Sequence, residues 1–262
     1  MRINVLGCHG SDQLLSDSRK SLSCGTCGFL FNGALLLDAG TVGTKLRLEE
    51  QYAIRHVLLS HLHFDHIQGL PSLVDNRFGG QTDGLVVASI PEVLSGLRTH
   101  IFNGVVYPNF FHLPTPDSPI LTSQALSPGQ TYFLSGLHVI PIRVNHLVPA
   151  VGFLISDDQS TVLYSGDTHH TEDIWRLARQ MPRLKAVFIE ASYPDRMADL
   201  ATHSKHLTPA MLRKEFEKLG QPELPLFVFH MKPRFRDQIV QELHALNIPN
   251  LSVLEEGQEI VV

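Results

Sequence analysis

Short apolar runs separated by turn residues dominate the first part of the chain. The segment GFLFNGALLLDAG (28–40) predicts a hairpin, because Asn32-Gly33 favours a type I′ turn between two apolar runs. Residues 131–144 alternate about Ser135-Gly136, and the runs at 151–156 and 161–166, on either side of Asp157-Asp158, predict a second hairpin. The remaining predictions of this kind are strands at 2–7, 54–60 and 86–89 and a small hairpin at 251–262.

The second part of the chain alternates helical and strand patterns. A helix is predicted from Pro91, and the segment IQGLPSLV predicts a short helix interrupted at Pro71. Hairpins followed by βα alternation indicate a mixed α/β protein, with one domain over 1–262. The later elements are predicted at 171–181, 185–190, 208–219, 225–230 and 234–247.

Composition excludes some classes of protein. The net charge is −5 and no Lys/Arg run occurs, so we do not expect a nucleic-acid partner. No apolar run is long enough to span a bilayer, and MRINVLGCHG lacks the pattern of a signal peptide, so we expect no membrane partner. The odd count of three cysteines favours a reduced, cytoplasmic protein over a secreted, disulfide-linked one.

Two of the cysteines form the motif Cys24-x-x-Cys27. A structural zinc site of this type needs a second pair of ligands, and the sequence offers no second Cys-x-x-Cys. Packing of small side chains at the start of a strand is the favoured interpretation.

The chain has 15 dispersed histidines, and the segment VLLSHLHFDHIQGL (57–70) concentrates them behind an apolar strand. His61 and His63 point to the same side if the chain stays extended, and Asp65 and His66 follow at once. A lone His-x-His is as well explained by a solvated loop. The added Asp-His pair indicates a metal site, since histidine is the favoured ligand of zinc-like ions.

Four further polar residues come directly after apolar strand patterns. Individually, each is explained as an ordinary loop residue. Together they place polar ligands at the ends of several strands, which is where sheets carry their sites. These residues are Asp38 after ALLL, His146 after VIPIRV, Asp167 after VLYSG and His230 after LFVF.

This ordered set of motifs resembles the five-motif signature of the metallo-β-lactamase superfamily. The resemblance implies a four-layer αββα sandwich with two divalent metal ions at one edge of the sheets. Zinc is the expected ion, with manganese and iron as alternatives. The resemblance implies a first metal on His61, His63 and His146, a second on Asp65, His66 and His230, Asp167 as the bridge, and Asp38 as support behind the ligands.

Within the superfamily, several segments resemble class II cyclic-nucleotide phosphodiesterases. The more specific ones are IFNGVVYPNF (101–110), KHLTPAML (205–212) and FHMKP (229–233). The implied reaction is hydrolysis of a 3′,5′-cyclic nucleotide such as cyclic AMP to the 5′-nucleotide by a hydroxide shared between the metals. The resemblance also allows a homodimer that acts on this small anionic phosphodiester.

Asp65 and His206 are the predicted catalytic residues. His206 would protonate the departing 3′ oxygen. Its alternative role is to cap the helix that starts near Thr208-Pro209, and His203 is a second choice as the acid.

The substrate contacts are open to two interpretations. Tyr107, Phe110 and Phe111 would form a wall on which a base stacks, or else core aromatics beneath a loop. Lys232 would contact phosphate, or else be an ordinary surface lysine.

Three other functions compete with phosphodiester hydrolysis. A ribonuclease Z-like tRNA 3′-processing endonuclease would share the metals, but no Gly-rich basic arm is visible and the net charge is −5. Thioester or lactone hydrolysis would need an acyl pocket that the sequence does not reveal. A non-catalytic binding module would be expected to have lost ligands, whereas every expected ligand position here is filled.

Overall fold

The computed structural model describes residues 1–17, 20–80 and 83–262. In chain order, the described strands are β1 (Arg2–Gly7), β2 (Gln13–Asp17), β3 (Lys20–Cys24), β4 (Gly28–Phe31), β5 (Leu35–Leu37), β6 (His56–Leu58), β7 (Leu85–Ser89), β8 (Pro114–Thr115), β9 (Ser118–Pro119), β10 (Leu121–Ala125), β11 (Tyr132–Leu134), β12 (Leu137–Arg143), β13 (Val151–Ser156), β14 (Thr161–Tyr164), β15 (Leu184–Glu190), β16 (Leu226–Phe229), β17 (Leu251–Val253) and β18 (Glu259–Val261).

The described α-helices are α1 (Leu48–Ala53), α2 (Phe64–Ile67), α3 (Leu70–Arg77), α4 (Pro91–Gly96), α5 (Asp173–Ala178), α6 (Ala198–Ser204), α7 (Pro209–Glu217) and α8 (Arg236–Ala245). A π-helical turn, Leu97–Ile101, follows α4, and 3₁₀ turns at Asp195–Met197 and Pro233–Phe235 precede α6 and α8. None of the described helices is long and apolar enough to cross a membrane.

Two seven-stranded sheets form the centre of the molecule. The first sheet has the order β10-β7-β6-β5-β4-β1-β18, and the second has the order β11-β12-β13-β14-β15-β16-β17. Each sheet contains a parallel part, formed by β5, β6, β7 and β10 in the first and by β14, β15, β16 and β17 in the second. The predicted combination of antiparallel hairpins with later βα units is therefore confirmed.

The two sheets pack face to face, and helices cover their outer faces. Phe29 of the first sheet lies 5.6 Å from Tyr164 and 5.7 Å from Phe229 of the second, measured between ring centroids. Leu73 of α3 packs in this core, whereas Trp175 of α5 belongs to a separate core on the far side of the second sheet. The predicted αββα sandwich is confirmed.

Both faces of the second sheet are buried, and successive side chains of its strands point to the two faces in turn. In β15, Phe188 faces the first sheet, while Val187 and Ile189 face the helices. Side chains that alternate along a strand point to opposite faces, so the part of a strand that is covered on both sides, here Ala186–Ile189, is continuously apolar.

The predicted hairpin turn at Asn32-Gly33 is confirmed by its backbone angles, and Ser135-Gly136 forms a turn of the same kind between β11 and β12. Asn32 and Gly33 have φ values of 48° and 71°, and Ser135 and Gly136 have values of 48° and 82°. Positive φ at both central residues is what a type I′ turn requires.

The predicted hairpin at 251–262 is wrong. β17 pairs in parallel with β16 in the second sheet, whereas β18 pairs with β1 in the first sheet. The predicted interruption of a helix at Pro71 is also wrong, because Pro71 lies in the first turn of α3. Proline is tolerated there, since its missing N–H would have no intrahelical partner.

Candidate metal centre

The ends of five strands bring the predicted metal ligands to one edge of the sandwich. Asp38 follows β5, His61 comes shortly after β6, Asp167 after β14 and His230 directly after β16. These strands are parallel within their sheets, so their carboxyl ends meet at a common edge. His146 reaches the same place from the loop after β12.

One group of ligands combines three histidines and a carboxylate. The metal-binding atoms of His61, His63, His146 and Asp167 all lie within 4.8 Å of one another. Nδ1 of His63 is 3.0 Å from Nε2 of His146. Converging imidazole nitrogens with a carboxylate are a typical donor set for zinc.

Asp167 lies between this group and the remaining ligands. Its Oδ2 atom is 3.6 Å from Nε2 of His61 and 3.2 Å from Nε2 of His230. Its Oδ1 atom is 3.4 Å from Nε2 of His66. A carboxylate in this position can contact two cations at once.

Asp65 and His66 come from the short helix α2. Oδ2 of Asp65 lies 3.2 Å from Nε2 of His230, and the rings of His66 and His230 stack with centroids 5.2 Å apart. The structure therefore brings all seven predicted ligands into one cluster.

Several polar atoms in this cluster are buried without a hydrogen-bond partner in the described part of the chain. They are Nε2 of His61, Nε2 of His66 and both carboxylate oxygens of Asp167. Leaving such atoms unpaired costs about 1–3 kcal/mol each, so native proteins rarely do so. Divalent cations would pair all four atoms, and the nitrogen and oxygen donors suit zinc, manganese or iron.

The other ring nitrogens are held by hydrogen bonds. In four of the five ligand histidines, Nδ1 faces a fixed acceptor behind the site, and donating to it leaves Nε2 to bind a cation; His63 instead directs its Nδ1 toward His146. The acceptors are Ser60 Oγ for His61 at 2.9 Å, Asp38 Oδ2 for His66 at 2.8 Å, Lys205 O for His146 at 3.1 Å and Ser192 Oγ for His230 at 2.8 Å.

Asp38 organises the support behind the ligands. It is completely buried and has a φ of 53°, a left-handed conformation that directs the carboxylate inward. The carboxylate accepts hydrogen bonds from the backbone N–H and the hydroxyl of Ser60, from His66 and from the hydroxyl of Tyr164, each at 2.8 Å. Sequence reasoning missed Ser60 and Tyr164, which lie inside apolar strand patterns without a separate signal.

Burial keeps most of the ligand imidazoles neutral, which is the form that binds metal. It lowers the pKa of His61 well below its ordinary value and, together with His146, lowers the pKa of His63 to about 4. His66 differs: burial opposes its charge, but Asp167 and Asp38 outweigh this and raise its pKa. These carboxylates thus favour positive charge at the position of His66, which is the charge a cation would supply.

His206 lies beside the cluster and is held by a carboxylate that sequence reasoning missed. Nδ1 of His206 is 2.7 Å from Oε1 of Glu190, at the end of β15. Ser192 Oγ donates to Glu190 Oε2 at 2.7 Å and lies 3.2 Å from the same nitrogen of His206. Burial lowers the pKa of His206, but Glu190 and Asp167 outweigh burial and raise it. Glu190 could have been found by the same signal as the ligands, because it is a polar residue at the end of an apolar strand pattern.

The capping alternative for His206 is not what the structure shows. Thr208 is the N-cap of α7, and its hydroxyl accepts a hydrogen bond from the N–H of Met211 at 3.5 Å. The metal-binding atoms of His206, Asp167 and His230 lie within 4.8 Å of one another. His206 therefore faces the cluster.

The predicted aromatic wall is not formed. Phe110 and Phe111 are buried, and Phe110 packs against Phe78 with centroids 5.5 Å apart, so neither presents a free face. Apolar burial outweighs exposure for these rings. Tyr107 is half-buried, with its ring 6.0 Å from that of Phe110.

Two other predicted contacts lie at the rim or outside the site. The Nζ atom of Lys232 donates to the carbonyl oxygen of Gly10 and lies 3.6 Å from Oδ2 of Asp65. It therefore borders the cluster and is not an ordinary solvated lysine. His203 is exposed on α6, where Nδ1 donates to the carbonyl oxygen of Asp199 at 2.6 Å.

Comparison with known protein families and sequences gives a consistent result. The model of the β-lactamase superfamily domain matches residues 35–231, a range that includes the whole cluster. A probable 3′,5′-cyclic-nucleotide phosphodiesterase of Yersinia pestis is 30% identical over 236 residues, which cover 79% of this chain and 64% of the relative. A ribonuclease Z of Metallosphaera sedula is 26% identical over 160 residues, covering 59% of this chain and 50% of the relative. The chain thus spans about half to two thirds of these curated relatives.

Solved structures show the same fold. The crystal structure of unliganded yeast PDE1 superimposes with a TM-score of 0.81 at 18% identity, covering 100% of this chain and 99% of that one. The short form of human tRNase Z gives a TM-score of 0.67 at 19% identity, covering 100% and 99%. At these identities the likeness concerns the fold alone.

Proposed function

Because the chain belongs to the β-lactamase superfamily, we propose that its seven-residue cluster holds two divalent cations and hydrolyses a small phosphodiester. The observation that carries this proposal is the position of Asp167. Both of its oxygens are buried and unpaired among the described residues, and they lie between the two sets of imidazoles.

The residues divide into two sets that share Asp167. His61, His63 and His146 would hold one cation. Asp65, His66 and His230 would hold the other. When bound, such a pair of cations supplies a nucleophile at neutral pH and neutralises charge on the phosphoryl group. Zinc is the ion we propose, and manganese and iron fit the same donors.

His206 would supply the proton for the leaving oxygen. Its ring lies beside the cluster, with centroids 5.1 Å from His146 and 5.2 Å from His230. Glu190 holds Nδ1, so the other ring nitrogen, Nε2, is the one that can face a substrate. A positioned general acid of this kind contributes about 10²–10⁴-fold in rate.

A 3′,5′-cyclic nucleotide is the substrate we propose, with cyclic AMP as the first to test. Support comes from the name of the Yersinia pestis relative and from the net charge of −5, which does not favour binding of a large RNA. The second candidate is tRNA 3′ processing. The similarity to ribonuclease Z sequences is the observation that favours it.

The experiment is metal quantification of the purified protein, followed by turnover of a substrate panel. The panel contains cyclic AMP, cyclic GMP, 2′,3′-cyclic nucleotides, bis(p-nitrophenyl) phosphate, a tRNA precursor and a thioester. We expect about two ions per chain and turnover of a 3′,5′-cyclic nucleotide. Turnover of the tRNA precursor or the thioester alone would contradict the proposed substrate, and a metal-free, inactive protein would contradict the whole proposal.

His206→Ala tests the proposed acid within the same assay. We expect turnover to fall by about 10²–10⁴-fold with full metal content. His203→Ala is the matched control, because His203 is exposed and its Nδ1 bonds to the carbonyl oxygen of Asp199 in its own helix. If His206→Ala turned over the substrate as fast as His203→Ala, His206 would not be the acid.

A further inference from the structure

A cysteine thiol lies at the edge of the cluster, in addition to the seven nitrogen and oxygen ligands. Cys27 directly precedes β4 and is completely buried. Its sulfur and the metal-binding atoms of His66 and His230 all lie within 4.8 Å of one another. Ligand atoms of one zinc ion are separated by roughly 3–4 Å when the bonds are about 2.0–2.3 Å long. The three atoms are therefore close to the spacing of a shared cation.

Two hydrogen bonds to the backbone of other segments hold Cys27 in this position. Its carbonyl oxygen accepts a hydrogen bond from the N–H of Gly40 at 2.8 Å, which ties it to the loop that carries Asp38. Its thiol donates to the carbonyl oxygen of His9 at 3.7 Å. Among the described residues, the groups that could hold a metal pair Cys27 with the two histidines and not with Cys24.

A second observation shows that the space beside the thiol is suited to a ligand. Nε2 of His66 is completely buried and has no hydrogen-bond partner in the described chain, while its Nδ1 is bound to Asp38. An unpaired imidazole nitrogen beside a buried sulfur is a combination that soft or borderline cations satisfy and that oxygen-seeking cations do not.

We propose that Cys27 is a sulfur ligand of the second cation, beside His66 and His230, and that it makes this position selective for thiophilic ions such as zinc, cobalt(II) and cadmium. On binding, the thiol loses its proton to solvent and the sulfur donates an electron pair to the cation. This inference rests on the metal centre of the proposed function but not on the identity of the substrate.

The expected consequence is a difference in selectivity between the two positions. The first group, His61, His63, His146 and Asp167, offers nitrogen and oxygen only. The second position would add sulfur, which strengthens the binding of zinc, cobalt(II) and cadmium much more than that of manganese. With Cys27 as a ligand, the two neighbouring metal positions would therefore favour different metal ions.

Cobalt(II) titration of the metal-free full chain tests the assignment directly. A cobalt–thiolate bond gives a charge-transfer band in the near ultraviolet, which nitrogen and oxygen ligands do not give. We expect the band to appear in the wild type and in Cys24→Ser, and to be lost in Cys27→Ser. Cadmium affinity of Cys27→Ser should fall by at least about tenfold to a hundredfold, the loss already seen when a partner behind a ligand is removed, while manganese affinity is unchanged.

The outcomes separate this inference from the proposed function. No band in the wild type, or an undiminished band in Cys27→Ser, overturns the ligand assignment even if phosphodiester turnover is found. A band that depends on Cys27 supports the assignment even if no phosphodiester is hydrolysed. If circular dichroism shows that Cys27→Ser is unfolded, Cys27→Ala replaces it in the same titration. The wild-type spectrum alone still decides whether a sulfur atom binds the ion.

Discussion

Oε1 of Glu190 lies 2.7 Å from Nδ1 of His206, and both side chains are buried at the edge of the metal cluster. The carboxylate fixes the tautomer and the orientation of the ring without being one of the predicted ligands. Ser192 extends this contact to His230, so the proposed acid and a proposed ligand share one hydrogen-bonded group.

We predict that Glu190→Gln lowers turnover of the phosphodiester substrate by up to about 10²–10⁴-fold, because the ring of His206 loses its charged partner. Metal content should remain that of the wild type, since Glu190 is not a ligand. Steady-state kinetics combined with metal quantification check this. Glu223→Gln, an exposed substitution, is the control. A parallel loss of metal would show that Glu190 only supports the cluster.

We predict that Asp38→Asn weakens metal binding by about tenfold to a hundredfold, because the amide cannot accept all four hydrogen bonds that the carboxylate accepts. Competition with a chromogenic chelator measures the affinity. Asp158→Asn, in an exposed turn, should bind metal like the wild type. Wild-type affinity in Asp38→Asn would mean that the ligands are held without this carboxylate.

We predict that Gly40→Ala destabilises the fold by about 1–3 kcal/mol and reduces metal content. A Cβ atom at Gly40 would collide with the carbonyl oxygen of Asp65 and with Oγ1 of Thr26, and backbone cannot move aside easily. At Gly43, nothing lies within 4 Å of such an atom, so Gly43→Ala is the matched control. Urea unfolding of the two variants compares them, and equal stability would contradict the predicted collision.

We predict that Glu256→Gln destabilises the protein at neutral pH by about 1–3 kcal/mol and not at acidic pH. Burial opposes the charge of Glu256, but hydrogen bonds from His9, Lys45 and the N–H of Gly25 outweigh it and lower its pKa to about 2. The lowered pKa means that this stabilisation is present above the ordinary value of 4.5 and is lost as pH falls toward about 2.

Urea unfolding at pH 7 and near pH 2.5 measures this difference. The gap in unfolding free energy between wild type and Glu256→Gln should be largest at pH 7 and should shrink on acidification. Glu255→Gln is the control, since its side chain is largely exposed, at 76%. A gap that is constant across pH would show that the charge of Glu256 does not matter.

Local signals in the sequence were sufficient for the turns and for the ligands. Asn32-Gly33 adopts the predicted turn because its two residues tolerate positive φ. His61, Asp167 and His230 were identifiable because each polar side chain follows an apolar strand, and the ends of parallel strands meet at one edge.

Contacts between segments that are distant in sequence could not be predicted from local sequence patterns. Glu190 ends a strand like any other carboxylate, and its partner His206 lies in a loop beyond α6. Packing was the favoured interpretation of Cys27, because the sequence does not reveal that His66, in α2, and His230, after β16, lie beside it. The hairpin at 251–262 failed for the same reason: two short apolar runs look alike whether they pair with each other or with strands elsewhere.

The separation of β17 and β18 places one short segment at the outer edges of both sheets. Unpaired edge strands are templates for pairing with other chains, and charged side chains are a common protection against it. Here the two outermost strands flank a turn with Glu255 and Glu256, and Glu259 projects from β18, where Arg2 lies 3.6 Å away. Without this segment β1 and β16 would become the edge strands, so twelve residues at 251–262 cover one edge of each sheet at once.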